Sequence, residues 1–372
     1  MNDSHVDGRS SRRTPRLRRS LAVLGAAMAI ASPVLAQWTP CAGASGINLQ
    51  SLGQRGSYVF AGGATGVYRS SDSAATFTPS NSGNDAVGPT RGFATDAAFI
   101  YTCTSQGVFR SGNDGATWVS RSVGLTSLLT SGILQVESKL FVVGPTGVFR
   151  SDNQGDTWSP AGLAGTDVRC IAAIGSTLFA GTISAGIHKS TDWGATWTFT
   201  SGGLASNSFR AIEAKGTTLF AGGQIGTGVY RSTDLGNSWT LLRGGLPVGS
   251  YRGFASNDHL IVAGSFGAGV YFSRDNGASW TAINSGLGDL SIFDLAIHGD
   301  TLVAATNTQG AFRLSLSSLV DLDGDRCVGA SDLAILLAAW GPCARCPADL
   351  DGNGVVGASD LAILLASWGG CG

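Results

Sequence analysis

Short apolar runs alternate with turns rich in glycine, serine and aspartate, and this pattern returns about every 41 residues along most of the chain. A run such as GVYR or GVFR is followed by an eight-residue polar box, and the first serines of the six boxes are spaced 41, 40, 39, 42 and 41 residues apart. These serines are Ser70, Ser111, Ser151, Ser190, Ser232 and Ser273. Further strand-like runs, such as residues 218–221, lie upstream in each repeat. The pattern predicts four short strands per repeat.

Four strands in about 40 residues are typical of one β-propeller blade, which buries both faces only between neighbouring blades. A seventh apolar run, residues 310–313, follows at the same spacing, but no box comes after it. Residues 37–40 (QWTP) match the strand that follows a box elsewhere, as in residues 196–198. We therefore expect an all-β, seven-bladed propeller over residues 37–316, with the strand beside Trp38 completing the last blade.

Five boxes read S-x-[DN]-x-G-x-[ST]-W, whereas the Ser70 copy has Ala74 and Phe77 in place of glycine and tryptophan. We interpret the box as a hairpin turn: the Asp or Asn side chain bonds the backbone two residues on, glycine takes a positive φ, and tryptophan packs between blades. The box resembles the Asp-box (BNR) repeat of sialidases, sortilin-type receptors and related propellers. That resemblance implies a structural role for the box, away from the ligand face.

Composition agrees with this fold. Glycine accounts for 55 of 372 residues, hydrophobic residues for 43% and charged residues for 13%, which excludes a helical bundle and a disordered chain. Charge is uneven, with net +4 over residues 1–36, zero over 37–320 and −5 over 321–372. We expect no nucleic-acid partner because no basic stripe is present. The acidic tail indicates that this segment binds a cation.

The first 36 residues have the features of a secretory signal peptide. Residues 9–20 are basic, residues 21–31 are apolar, and residues 34–36 (VLA) form a small-residue cleavage site. We expect cleavage after Ala36 and a secreted or cell-surface protein with no membrane span in the mature chain; an uncleaved anchor is the alternative. An exported tail with four cysteines indicates disulfides, whose pairing the sequence leaves open. The four are Cys327, Cys343, Cys346 and Cys371.

Four arginines occupy the same repeat position, about half a repeat before a box serine and at the start of the innermost strand: Arg91, Arg169, Arg210 and Arg252. The matching positions in blades 3 and 7 are Ser131 and Phe293. Repeat symmetry would point the four guanidinium groups at one channel mouth, where they would bind a carboxylate, a phosphate or an anionic glycan. The alternative is that they pair with neighbouring strand ends.

A sialidase needs an arginine trio, a tyrosine nucleophile with a glutamate, and an acidic proton donor. Only Glu137 and Glu213 could activate a tyrosine; we expect Glu137 to be exposed, and Glu213 to face away from Arg210, three residues earlier on the same strand. We assign no catalytic residue. The ring also resembles photosystem II assembly factors of propeller type, which are binding scaffolds. A non-catalytic scaffold is therefore favoured, and the alternative is a dockerin-borne glycoside hydrolase, sialidase- or xyloglucanase-like.

The tail contains a duplication, in which the pattern of residues 321–341 recurs over residues 349–369. Oxygen donors recur at loop positions 1, 3, 5 and 12, with a backbone carbonyl at position 7, which is the spacing of a calcium loop. The predicted ligands are Asp321, Asp323, Asp325, Cys327 and Asp332 in the first loop, and Asp349, Asp351, Asn353, Val355 and Asp360 in the second. The tail is therefore predicted to bind two calcium ions and to fold as it binds them. The alternative is a ladder of Asx turns that holds no ion.

Each loop leads into a predicted helix, residues 331–340 and 359–368, whose leucines should pack together. Those leucines are Leu333, Leu336 and Leu337, and Leu361, Leu364 and Leu365. With Asp at loop position 12, the tail over residues 317–372 resembles type I dockerins, small EF-hand-like calcium modules. The resemblance implies a cohesin-like or other cell-surface partner, contacted through residues 330–331 and 358–359 in both halves.

Overall fold

The computed structural model describes residues 37–83, 88–200, 202–224, 226–323, 325, 327–343, 346–351 and 353–369. The predicted signal peptide, residues 1–36, lies outside the described residues. None of the helices in this described part is long and apolar enough to cross a bilayer.

After β1 (Thr39–Pro40), six sheets of four consecutive antiparallel strands follow one another along the chain. Blade 1 contains β2 (Leu49–Arg55), β3 (Tyr58–Gly63), β4 (Gly66–Ser70) and β5 (Thr78–Pro79); blade 2 contains β6 (Thr90–Thr95), β7 (Ile100–Thr104), β8 (Gly107–Ser111) and β9 (Val119–Ser120); blade 3 contains β10 (Gly132–Val136), β11 (Lys139–Gly144), β12 (Gly147–Ser151) and β13 (Ser159–Pro160). Blade 4 contains β14 (Val168–Ile174), β15 (Thr177–Thr182), β16 (Ile187–Ser190) and β17 (Thr198–Phe199); blade 5 contains β18 (Phe209–Lys215), β19 (Thr218–Gly223), β20 (Val229–Ser232) and β21 (Thr240–Leu241); blade 6 contains β22 (Tyr251–Ser256), β23 (Ile261–Ser265), β24 (Gly269–Ser273) and β25 (Thr281–Ala282).

The seventh blade joins the two ends of the ring. Its strands β26 (Ile292–His298), β27 (Thr301–Thr306) and β28 (Ala311–Ser315) are completed by β1, which pairs antiparallel with β28. Thr39 lies opposite Arg313 in this pair, and Trp38 is only 1% exposed. The predicted seven blades and the predicted closure by the N-terminal strand are confirmed.

Each box forms a tight turn between the third and fourth strands of its blade. In blade 4, Ser190 Oγ accepts the N–H of Gly194 at 2.8 Å, and Asp192 Oδ1 accepts the N–H of Thr196 at 2.9 Å. The carboxylate thus bonds the residue four positions on, and our expectation of two was wrong in this detail. The hydroxyl of Ser190 donates to Asp192 Oδ1 and holds the oxygen across the turn. Gly194 has the expected positive φ, +87°.

Neighbouring blades are joined by contacts that repeat around the ring. Trp118 of the second box is buried and packs edge-on against Phe60 of blade 1, with its indole N–H donating to the carbonyl of Ser80. In five blades a basic residue of the third strand also donates to the next blade's box. These pairs are Arg69 to Asp114, Arg110 to Gln154, Arg150 to Trp193, Lys189 to Asn237 and Arg231 to Asn276. The apolar residues of the repeat therefore form the interior of the propeller, and these basic residues link neighbouring blades by hydrogen bonds at the outer edge.

After a 3-10 turn (Ser317–Leu319), the tail contains α1 (Ala330–Ala338), β29 (Gly341–Pro342), β30 (Val355–Val356) and α2 (Ala358–Ala366), with β29 paired to β30. Both helices end two residues before their predicted ends. A disulfide joins Cys343 to Cys346, and Cys327 is also disulfide-bonded.

The two tail helices bury fewer leucines than expected. Leu336 and Leu364 are fully buried, but Leu337 and Leu365 are each 50% exposed. Successive residues point about 100° apart around a helix, so in a nine-residue helix Leu337 turns away from the face that Leu336 buries. The expectation that all six leucines pack together was wrong for Leu337 and Leu365.

Candidate ligand site at the channel mouth

The inner strands of six blades begin with a β-bulge, seen as a register shift of one residue. The bulged residues are Gln50, Arg91, Arg169, Arg210, Arg252 and Phe293. A bulge leaves one residue outside the ladder and redirects its side chain. The bulges therefore explain how side chains at the start of these six inner strands come to face the central channel, rather than packing between blades.

All four predicted arginines border one cavity of about 350 Å³, together with residues from the inner strand of every blade. We call this end of the channel, defined by Arg91, Arg169, Arg210 and Arg252, the arginine mouth. The structure brings the four together as repeat symmetry predicted. Gln50 and Phe293 fill the equivalent positions in blades 1 and 7.

Three arginines at this mouth have no hydrogen-bond partner among the residues that the structure describes: Arg91, Arg210 and Arg252. The Nε atoms of Arg169, Arg210 and Arg252 are buried without a partner. Burial lowers the pKa of Arg210, and the positive charges of Arg169 and Arg91 lower it further. An anion in the cavity would supply the missing acceptors and relieve this repulsion.

Arg169 is the exception, because its Nη2 atom lies 2.7 Å from Asp167 Oδ2. The alternative interpretation, pairing with a neighbouring group, thus holds for this arginine. Even here one side-chain donor, Nε, stays free.

Aromatic rings hold Arg252 in place. Its guanidinium carbon lies 3.8 Å from the ring centre of Phe266 and 5.0 Å from that of Phe293, and the two rings are themselves in edge-to-face contact. Cation–π contacts fix the plane of a guanidinium while leaving its N–H groups free to donate. Arg252 is therefore positioned for an acceptor that the described residues do not supply.

Two carboxyl groups border the same cavity. Asp294 follows the bulge of blade 7, and Glu213 lies on the inner strand of blade 5. Our expectation that Glu213 faces away from Arg210 was wrong, because the bulge at Arg210 changes the alternation of the strand and both residues border the channel. Burial raises the pKa of each carboxyl to about 7, and the charge of Glu213 adds to the shift at Asp294.

The tail brings two groups of acidic side chains together. Asp321, Asp323 and Asp325 lie close enough to share one ion, and so do Asp349, Asp351 and Asp360. Asp332 stands outside the first group, and its two oxygens accept backbone N–H groups, among them those of Leu322 and Gly329. Asp360 accepts the equivalent N–H groups and still belongs to the second group.

The second acidic group contains an unsatisfied acceptor. Asp349 Oδ1 is buried with no hydrogen-bond partner among the residues that the structure describes, although Oδ2 accepts the N–H of Gly354 at 2.9 Å. Burial raises the pKa of Asp349, and the neighbouring charges of Asp360 and Asp351 raise it further. A cation beside Asp349 Oδ1 would provide the compensation that the described residues do not.

No protein-family model matches the chain, and no curated protein matches its sequence. Solved structures do match. A structure of YCF48 bound to D1 peptide aligns with a TM-score of 0.63 and 11% identity, over 75% of this chain and 96% of that one. The likeness shows the fold, a seven-bladed β-propeller.

Two larger proteins contain a similar propeller. The Niastella koreensis GH74 enzyme aligns with a TM-score of 0.58 and 17% identity, over 73% of this chain and 43% of that one. The extracellular domain of a B. thetaiotaomicron one component system aligns with a TM-score of 0.62 and 10% identity, over 75% and 40% of the two chains. The chain thus spans less than half the length of either protein. At these identities the comparison shows the fold alone.

Proposed function

We propose that the protein is a secreted, non-catalytic binding scaffold that holds an anionic ligand at the arginine mouth. The observation that carries this proposal is the convergence of Arg91, Arg210 and Arg252 on one cavity without acceptors among the described residues. The YCF48 structure, in which a propeller holds a peptide, supports a peptide carboxylate as the ligand class, and an acidic glycan is the other.

Calorimetric titration with inorganic sulfate, then with carboxylate-terminated peptides and acidic glycans, tests this proposal. Replacing Arg210 or Arg252 with alanine should weaken binding by about 10- to 100-fold, the usual effect of losing a charged hydrogen bond. Arg243→Ala, a substitution of an exposed arginine between blades 5 and 6, is the matched control. Equal affinities for Arg210→Ala and Arg243→Ala would contradict the proposal.

A glycoside hydrolase is the second candidate, favoured by the presence of Glu213 and Asp294 in one cavity. Such enzymes act through two carboxyl groups near each other. Here, however, Asp294 accepts the N–H groups of Leu52 and Leu295, and Glu213 accepts the hydroxyl of Ser256. The wild type would then release sugar from xyloglucan or a sialoside, and Glu213→Gln would not. That result would favour the hydrolase over the non-catalytic scaffold.

The tail, we propose, binds two calcium ions through the ligand set that the sequence predicts. The fit rests on carboxylate oxygens, the donors that calcium prefers, and on the unsatisfied Asp349 Oδ1. Bound calcium would compensate the charge of each acidic group and fix the loop before its helix.

Calcium titration of the full chain after EDTA treatment should show two ions bound and a raised unfolding temperature. Asp349→Asn should lose one ion, whereas Asp258→Asn, at an exposed turn of the propeller, should lose none. No heat of binding and identical unfolding curves with calcium and EDTA would reject the calcium proposal.

The tail would also attach the scaffold to a cohesin-like or other cell-surface protein. Each helix has a half-exposed leucine and is followed by a half-exposed tryptophan: Leu337 and Trp340, and Leu365 and Trp368. The predicted contact residues at the starts of both helices are exposed as well. Binding of the full chain to a cohesin panel, abolished by EDTA and weakened in Trp340→Ser with Trp368→Ser, would support attachment; no binding to any cohesin would reject this partner class.

A further inference from the structure

Glu213 and Asp294 occupy the channel directly behind the arginine mouth. Glu213 borders both the cavity of about 350 Å³ that contains the four arginines and a second cavity of about 280 Å³ further along the inner strands. Asp294 borders the first cavity from blade 7, where it accepts the N–H of Leu52 of blade 1 at 2.8 Å. An anion at the mouth would therefore share its cavity with two carboxyl groups.

Neither carboxyl forms an ion pair within the described part of the chain. Among the described residues, the only hydrogen bond to the Glu213 side chain comes from the neutral hydroxyl of Ser256, at 2.7 Å, and the bonds to the Asp294 side chain come from backbone N–H groups. Burial without a cation favours the neutral acid, and it raises the pKa of both groups to about 7. Near neutral pH the pair is thus poised to gain or lose protons.

The strands packed against β18 and β26 carry few other groups that could change charge. The charged or titratable side chains on these strands, besides the pair, are Arg55, Arg169, Cys170, Arg210, Lys215, Tyr251, Arg252 and His298. Burial raises the pKa of Cys170 to about 12 and also raises that of Tyr251. The imidazole of His298 lies at the far end of β26, with its Nδ1 atom 3.2 Å from Gln54 Oε1.

We propose that the channel takes up its anion together with protons, which Asp294 and Glu213 accept as the ligand binds. This inference rests on the proposed function of the arginine mouth and adds that the protein binds protons when it binds the anion. The reason is electrostatic: each ionised carboxyl adds a negative charge to the cavity and repels the anion, whereas each neutral carboxyl does neither. Binding should therefore be tightest below neutral pH and should weaken as the pair ionises.

Sulfate is a suitable probe because its charge is constant across the pH range concerned. Its affinity for the full chain should fall by about tenfold or more between pH 5.5 and pH 8.5, on a Coulomb estimate for two charges in one cavity. Calorimetry near pH 7 in two buffers of different ionisation enthalpy should show protons taken up on binding. This measurement on the wild type needs no variant to fold.

Glu213→Gln keeps the acceptor for Ser256 and should reduce both the proton uptake and the pH dependence, as should Asp294→Asn. Glu137→Gln and Asp258→Asn, at exposed turns, are the matched controls, and His298→Gln is a further control that removes the imidazole of β26. If sulfate binds with the same affinity at both pH values and without proton uptake, this inference fails and the proposed function stands. If sulfate does not bind even at pH 5.5, both fail.

Discussion

The indole N–H of Trp38 donates a hydrogen bond of 2.5 Å to the carbonyl oxygen of Ile283, 245 residues further along the chain. The ring of Trp38 belongs to the apolar cluster between blades 6 and 7, with Ile283 and Phe312. The N-terminal segment therefore closes the propeller through both its backbone, in β1, and this one side chain.

Trp38→Ala should destabilise the protein by about 3–5 kcal/mol, because it removes a fully buried aromatic side chain and leaves a cavity between blades 6 and 7. Trp340→Ala, at a position 50% exposed in the tail, should change stability by less than about 1 kcal/mol. Urea unfolding followed by tryptophan fluorescence and circular dichroism compares the two. Matching midpoints would mean that closure does not depend on Trp38.

The sequence contains enough information to predict the number of blades and the way they close, because each blade repeats the same box and residues 37–40 match the strand that follows it. It does not reveal the outer contacts from Arg69 or Arg231 to the next blade's backbone. The acceptors in those contacts are backbone carbonyl oxygens of another repeat. Every residue has such an oxygen, so the residue type does not mark the acceptor.

The carboxylates of the boxes should make the fold sensitive to acid. Hydrogen bonds, first from the hydroxyls of Thr196 and Ser238, lower the pKa of Asp192 and of Asp234 to about 2. Because the folded pKa lies below that of the unfolded chain, the stability these groups contribute is present above about pH 4 and is lost as pH falls towards 2. Unfolding temperatures measured from pH 5 to pH 2 should show this loss.

An asparagine at the same position is the internal control for that prediction. Asn113 and Asn153 already occupy the Asp position in two boxes and make the same bond to the backbone, to Thr117 and Thr157. Asp192→Asn with Asp234→Asn should therefore fold at pH 7 and lose less stability than the wild type between pH 4 and 2. An acid transition that is unchanged in the double variant would contradict the assignment to these boxes.

The candidate site was only partly predictable. The position half a repeat before the box serine locates the four arginines, and it would also have found Gln50, which stands in the same relation to Ser70. The contribution of Glu213 could not be found in this way. Alternation along a regular strand predicts opposite faces for Arg210 and Glu213, whereas a bulge is a property of the register between two strands.

Glu213 and Asp294 should also make the unliganded protein less stable at higher pH. Burial raises the pKa of both to about 7, so the folded chain holds protons that the unfolded chain releases. The stability they contribute is present below about pH 4 and is lost as pH rises through 7. The unfolding temperature should therefore fall between pH 5 and 8, and fall less in Glu213→Gln than in Glu137→Gln. Parallel curves for these two variants would refute the assignment.

The seam between the last blade and the N-terminal segment should tolerate no added methyl group at Gly310. This glycine has φ +86°, and a Cβ atom there would overlap the carbonyl oxygen of Ala44. Gly46 has a similar φ, +74°, but open space around the Cβ position. Alanine at either site costs about 1–2 kcal/mol for the left-handed conformation. Only Gly310→Ala adds a collision with the backbone that closes the ring, and overpacking of this kind costs about 1–3 kcal/mol more. Chemical unfolding of the two variants side by side should show this difference, and equal losses would mean that the seam can move apart without cost.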